Sequence, residues 1–238
     1  MKKFIIPALL AVIAVVSGCK FEDALLYGEA TMGRVSNGNI ITDTGLTYVV
    51  SESECTGDFK SCDRIYILCD VLKKLEAENT YSVRLNGYAE VSVNETVRKS
   101  DQSEEWFGDD AVNLENGWFS GGYLNVYVKY SAVQGSDKKH RFSLMFDDTA
   151  DNSDTLHFYL KHNGFGETYE KDPDNTKMTM DASYISFPVD SFLPAGSKGM
   201  NVKVEWDWYK IQNNQYLSET EHYGQTVYYA VSDTRSDF

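Results

Sequence analysis

Apolar and polar residues alternate with period two along most of this chain, a pattern that predicts short, half-buried β-strands. Gly28–Val35 leads into Ser36-Asn37-Gly38-Asn39, whose Asn-Gly step favours positive φ and a hairpin. Ile40-Ile41-Thr42 and Leu46–Val50 flank a second turn, Asp43-Thr44-Gly45. Arg64–Leu72 puts Ile65, Ile67, Cys69 and Val71 on one face, because side chains alternate sides along a strand. Lys73–Asn79 reads as one helical turn or a charged loop. Tyr81–Leu85 and Ala89–Val97 alternate again. Five or so short strands in so small a span predict a small barrel.

The acidic, turn-rich stretch Asp101–Asp110 marks a domain boundary there or just after. Beyond it the alternation resumes. Leu124, Val126, Val128 and Tyr130 form one face of a strand that begins at Gly121-Gly122, where a bulge or a close backbone approach is expected. Phe142, Leu144 and Phe146 follow, then Leu156, Phe158 and Leu160, then Ile185, Phe187 and Val189, then Val202, Val204 and Trp206. A last pair falls near Gln215–Leu217 and Thr226–Val231. This half predicts an antiparallel β-sandwich, so the chain is all-β.

Only the N-terminus breaks the pattern. Phe4–Val16 is a continuous apolar run of 13 residues behind Lys2 and Lys3, too short for the roughly 20 residues of a membrane span. Val16-Ser17-Gly18-Cys19 resembles a bacterial lipobox, in which small residues precede a cysteine that becomes lipidated. Residues 1–18 are therefore expected to be a cleaved lipoprotein signal, and Cys19 the lipidation site that ties the chain to a membrane. Several acyl chains on one residue make a stable anchor, since each buried CH₂ contributes about 0.8 kcal/mol. Residues 19–26 form the anchor and tether. Lys20-Phe21-Glu22-Asp23 is similar to acidic signals that send lipoproteins to the outer leaflet of the outer membrane, which implies an outer-membrane location with cell-surface exposure; composition alone fits a plain flexible linker equally well.

Composition narrows the partners. Lys and Arg number 22 against 36 Asp and Glu, for a net charge of −14, a field that repels phosphate backbones and argues against nucleic acid. Sixteen Tyr, 12 Phe and only four Pro suit β-structure. Cys55, Cys62 and Cys69 remain after Cys19, and an oxidising envelope permits a disulfide. Cys55 and Cys62 flank a polar loop while Cys69 sits in an apolar run, so a Cys55–Cys62 bond with Cys69 buried is expected. Three cysteines without a nearby histidine make a poor metal site.

Four histidines are too scattered for a site. His157 and His162 point to opposite faces of one strand, His162 is expected to hydrogen-bond the turn after it, and His140 to be an exposed residue at the start of a strand. Asp147, Asp148, Asp151 and Asp154 lack the glycine and terminal glutamate of a calcium loop. No nucleophile elbow, phosphate loop or marked carboxylate pair is present, so no catalytic residue, metal or cofactor is expected. Trp206 and Trp208 share one face, where core packing is the expectation. The candidate ligand contacts are Trp118 and Phe119, two large aromatics at the domain junction. They can wedge the domains together or wall a cleft between them.

Tyr27-Gly28-Glu29-Ala30, Asp63–Val71 and Tyr81–Asn86 resemble the N-terminal half of the NigD-like lipoproteins of Bacteroidota. Trp118–Asn125, Lys139-His140-Arg141, Asp154-Thr155-Leu156 with His162-Asn163, and Tyr184–Phe187 match that family's later motifs in order. The resemblance implies an OB-like β-barrel at 27–112 and a β-sandwich at 113–238. It implies little about activity; with no catalytic motif in the chain, the expectation is a non-enzymatic binding or protective lipoprotein with a protein, peptide or glycan ligand. A bacteriocin-immunity role is the alternative that the family's name carries, and a hydrolase of envelope polymers is a third reading. The cysteines at 55, 62 and 69 and the segment 167–180 stand outside the family pattern.

Overall fold

A computed structural model describes residues 25–169, 171, 177–212 and 215–230. Residues 1–24, on which the expected signal peptide, the expected lipidation site Cys19 and most of the expected tether fall, lie outside the described residues. β1 (Leu26–Ser36) and β2 (Asn39–Thr42) form the hairpin that Asn37-Gly38 calls for, with φ of 51° and 76° at the two turn residues. β3 (Thr47–Ser53), β4 (Arg64–Lys74) and β5 (Thr80–Val93) complete the N-terminal unit. Pairing runs β1 to β2, β2 to β3, β3 parallel to β5, β5 to β4 and β4 back to β1. Ile40, Tyr48, Ile65, Ile67, Cys69, Val71, Val83 and Leu85 fill its interior, as the period-two face of Arg64–Leu72 requires.

The five strands pair in a ring, but β5 runs out of it into the sandwich sheet, so the unit is not a separate closed barrel. Asn86 is an extra residue between Leu85, opposite Cys69, and Gly87, opposite Leu68. Such a bulge bends a strand. Beyond it β5 carries on to pair with the second half, so Tyr81–Leu85 and the start of Ala89–Val97 are one strand of 14 residues. Lys73–Asn79 holds no helical turn. β4 runs to Lys74 and returns through Leu75, whose N–H donates to the Thr80 carbonyl.

The C-terminal unit contains β6 (Thr96–Arg98), β7 (Val112–Ser120), β8 (Tyr123–Val133), β9 (Arg141–Phe146), β10 (Thr155–Asn163), β11 (Met178–Pro188), β12 (Gly199–Gln212) and β13 (Gln215–Ala230). The short helix α1 (Glu104–Phe107), capped by the Ser103 hydroxyl, lies between β6 and β7. β5, β11, β8 and β7 extend the first sheet, while β13, β12, β10, β9 and β6 form the second. Leu124, Val126, Val128, Leu144, Phe158, Ile185, Phe187 and Val202 fill the space between them. β6 already belongs to the second sheet, so the chain changes units between Val93 and Thr96.

The sandwich is not purely antiparallel, as the alternation alone predicted. β10–β12, β6–β9 and β5–β11 are parallel pairs. The chain leaves β10 for β11 in the opposite sheet before returning as β12, and such a crossover lets β12 run alongside β10 in the same sense.

The expected Cys55–Cys62 disulfide is not formed: Cys55, Cys62 and Cys69 are free. The Cys55 thiol points to the Leu85 carbonyl at 3.8 Å, and Cys62 and Cys69 are packed in the N-terminal core. Burial raises the Cys62 thiol pKa and pushes that of Cys69 up to about 12. Only the thiolate attacks in disulfide chemistry, so these buried thiols are inert.

Candidate functional site

Two constellations meet at the junction of the two units. The first is a polar clasp. Arg64, at the start of β4, is 5% exposed and forms two hydrogen bonds to Asp43, at 2.9 and 2.6 Å. Two further N–H groups donate to Ser186 on β11 at 2.8 Å and to Asn125 on β8 at 2.9 Å. Ser120 donates to Asp43, and the Tyr123 ring lies 4.4 Å from the guanidinium. The N-terminal unit thus supplies an ion pair and the sandwich supplies its polar cage. A buried charge needs its hydrogen bonds satisfied, and this one has them.

The Gly121-Gly122 turn is what lets the units approach so closely. Its φ values of 58° and 84° make a two-residue hairpin turn, and Ser120 pairs with Tyr123 across it. A Cβ at Gly121 would stand 2.7 Å from the Asp43 carboxyl.

The second constellation is aromatic. Trp118 and Phe119 are consecutive on β7, so they face opposite ways. Trp118 leans on Tyr66 of β4 at 6.1 Å between ring centroids, and Tyr66 stacks on Tyr184 of β11, which meets Tyr127 of β8. Phe119 turns toward the sandwich and stacks on Tyr229 of β13 at 4.6 Å. Both remain half-buried, because β7 and β13 are the outer strands of their sheets and no further strand covers the gap between them.

That gap is a cleft of about 380 Å³, walled by Trp118, Phe119, Trp206, Gln225, Val227 and Tyr228. Its size is within the range of small-ligand sites, and the lining is mostly apolar with few polar groups. Trp206 Nε1 is buried and has no hydrogen-bond partner among the described residues. That nitrogen is sealed within the packing and is not presented to the cleft. Tyr228 is 62% exposed at the rim. Trp118 packs across the junction, but the cleft it borders lies within the sandwich, between β7 and β12–β13, and not between the two units as the cleft expectation had it. Trp206, Tyr228 and Tyr229 were missed by sequence reasoning because they lie far along the chain from β7, and only the pairing of sheets brings them together. Trp208, expected on the same core face as Trp206, is buried with Tyr209 and Ala111 in a separate small cluster.

The other candidates resolve simply. His162 is fully buried and bonds the Ala111 carbonyl rather than the turn after it, while His140, expected to be exposed, is half-buried against it at 2.9 Å. Asp147 and Asp148 hold Lys99 and Ser100, which fastens β6 to the β9–β10 loop. No group of three or more metal-ligating side chains occurs among the described residues. No helix among them is long and apolar enough to cross a membrane.

Residues 95–219, over half the chain, match the model of the NigD-like C-terminal beta sandwich domain. A solved protein of unknown function, DUF1344, from Bacteroides vulgatus is 18% identical with a TM-score of 0.60, covering 90% of this chain and 94% of that one. A NigD-like immunity protein from Bacteroides caccae is 18% identical at a TM-score of 0.59, covering 89% and 99%. A candidate lipoprotein of Bacteroides fragilis is 14% identical at 0.60, covering 86% and 99%. At such identities these structures speak to the fold. No curated protein matches the chain. Neither the family description nor these names denotes an enzyme. With the NigD-like model matched over more than half of its length, the chain belongs to the NigD-like family.

Proposed function

We propose that this chain is a non-enzymatic binding module of the cell envelope, held at the outer membrane through lipidated Cys19, with Trp118 and Phe119 among its ligand contacts. The aromatic cleft between β7 and β13 carries this reading. It offers the ring faces of Trp118, Phe119 and the exposed Tyr228 for an apolar ligand surface. A protein, peptide or glycan segment with an apolar face meets those terms. A protective role of the kind that the name of the Bacteroides caccae structure gives for that protein is binding of this type. We read the chain as two units divided where it crosses to the second sheet, between Val93 and Thr96 and not at 112–113, with the clasp at Arg64 fastening the turn after β7 to the N-terminal unit.

Tyr228→Ser is the test, because Tyr228 is exposed at the cleft rim and its ring can leave without emptying the core. Immobilised wild type and variant, equal in thermal midpoint, are compared for capture of solubilised envelope from the source cells. Captured material should fall by about tenfold, the scale of losing one aromatic contact in an interface. Equal capture by the two forms refutes the cleft as the binding site.

A further inference from the structure

β13 is a strand of 16 residues that ends the second sheet. β12 bonds one of its edges, and among the described residues no strand bonds the other. An open edge is a template for pairing, and proteins blunt such edges with brevity, Lys, Pro or a bulge. From Thr220 to Ala230 β13 uses none of these. Its sequence holds no Lys, Arg or Pro, and its register with β12 is unbroken over that span.

The side chains beside that edge are uncovered as well. Pairing with Trp206, Val202 and Met200 turns Tyr223, Val227 and Tyr229 to the inner face of the sheet. Tyr229 is buried, but Tyr223 and Val227 remain 39% and 40% exposed. The cause is where the opposite sheet stops: β7, its outer strand, packs against β12 and leaves β13 without a covering strand. The aromatic cleft opens at that place. The sandwich is thus short of a strand's backbone and of a strand's inward side chains at one position. A polypeptide supplies both, because its N–H and C=O groups recur at the rise of about 3.3–3.4 Å that matches β13 and its alternate side chains fall on one face. A second copy of the chain is a poor occupant, since each copy carries a charge of −14. β13 contributes Glu219, paired with Lys210, and Glu221, which accepts from the Tyr223 hydroxyl, but no basic residue other than His222, so a basic segment complements it.

We infer that β13 takes an extended basic peptide segment by strand addition, with alternate apolar side chains of the peptide turned into the cleft. The inference rests on the cleft reading for its side-chain face and adds the β13 backbone as the recognition element. The probe is the peptide acetyl-Lys-Thr-Val-Thr-Val-Thr-Val-Lys-amide, with a twin N-methylated throughout its Thr-Val segment. Binding to the full chain is read by amide hydrogen exchange. In the free chain alternate amides between Glu221 and Tyr229 should exchange fast, and the probe should slow them by at least about tenfold. The twin keeps the side chains and loses the donors, so it should bind at least about tenfold more weakly.

Backbone N–H groups alternate in direction along a strand, so of Gln225→Pro and Thr226→Pro one removes a bond to β12 and the other an outward donor. The variant that keeps the wild-type thermal midpoint should lose the probe. Alternate β13 amides already protected in the free chain would show the edge to be filled by a second copy and would overturn the inference. So would a probe that leaves β13 exchange unchanged, a twin that binds as well, or equal binding by the proline variant of wild-type midpoint. If strand addition fails in these ways while Tyr228→Ser still lowers envelope capture, the cleft stands without it.

Discussion

Arg64 is the residue on which the two halves depend most directly. Its bidentate bond to Asp43 is buried, and removing one partner leaves the other charged and without its counterion. Arg64→Ala should therefore cost about 3–5 kcal/mol, read from the midpoint of chemical denaturation. A cost below about 1 kcal/mol would show that water reaches the clasp. Two histidines give stability opposite pH dependences. His162 is held well below its unfolded value of about 6.5, so the folded state binds fewer protons than the unfolded chain. Its contribution is complete above that value and is lost as pH falls from about 6.5 toward 3. His222 is raised by its bonds to Glu205 and Asp207, so its smaller contribution is present below about 6.5 and fades as pH rises through its folded value. Thermal midpoints between pH 7 and pH 4 should fall for the wild type and fall less steeply for His162→Phe. Parallel curves would remove His162 from the account.

At the scale of elements, the alternation of Ile65, Ile67, Cys69 and Val71, or of Phe142, Leu144 and Phe146, was enough to locate strands and their buried faces. Turn chemistry did as well at Asn37-Gly38, where only a small set of residues tolerates positive φ. What stayed hidden were facts set by non-local pairing. Asn86 carries no local mark of a bulge, so β5 read as two strands. The parallel pairs β10–β12 and β6–β9 depend on which sheet each intervening strand joins, which hydrophobic period does not encode. The polar Asp43-Thr44-Gly45 turn looked like any solvated turn, yet it buries Asp43 against another unit. The glycine at 121 was correctly marked as a place of close approach, although its partner could not be named. Gly121→Ala places a Cβ 2.7 Å from the Asp43 carboxyl on a backbone of positive φ. It should destabilise the chain by more than about 1 kcal/mol in denaturation. Gly135→Ala, also at positive φ but with open space around it, should cost less, since only the backbone term applies. Equal costs would mean that Asp43 yields freely.

For the whole molecule, β5 is the structural hinge-pin: one strand shared by the N-terminal unit and the sandwich, with the clasp and the aromatic row Tyr66–Tyr184–Tyr127 set alongside it. This leaves the outer edges of β7 and β13 facing one another, and the cleft follows from that arrangement. Of the candidate site, Trp118 and Phe119 were legible because two consecutive aromatics beside a Gly-Gly turn are conspicuous. Their partners on β12 and β13 were not, being supplied only by the packing of the second sheet. Membrane attachment is tested separately: Cys19→Ala should lose fatty-acid labelling and appear in the soluble fraction, and retention on membranes would contradict lipidation at that residue.

The central claim, that the cleft is where the protein binds, is met most directly by one paired measurement on Trp118→Ala. Denaturation and envelope capture are read on the same preparation. Trp118 is half-buried, so the account predicts a loss of about 1–2 kcal/mol, below the 3–5 of a fully buried Trp, with the chain still folded and its capture reduced at least about tenfold. A folded Trp118→Ala protein that captures as much as the wild type would contradict it.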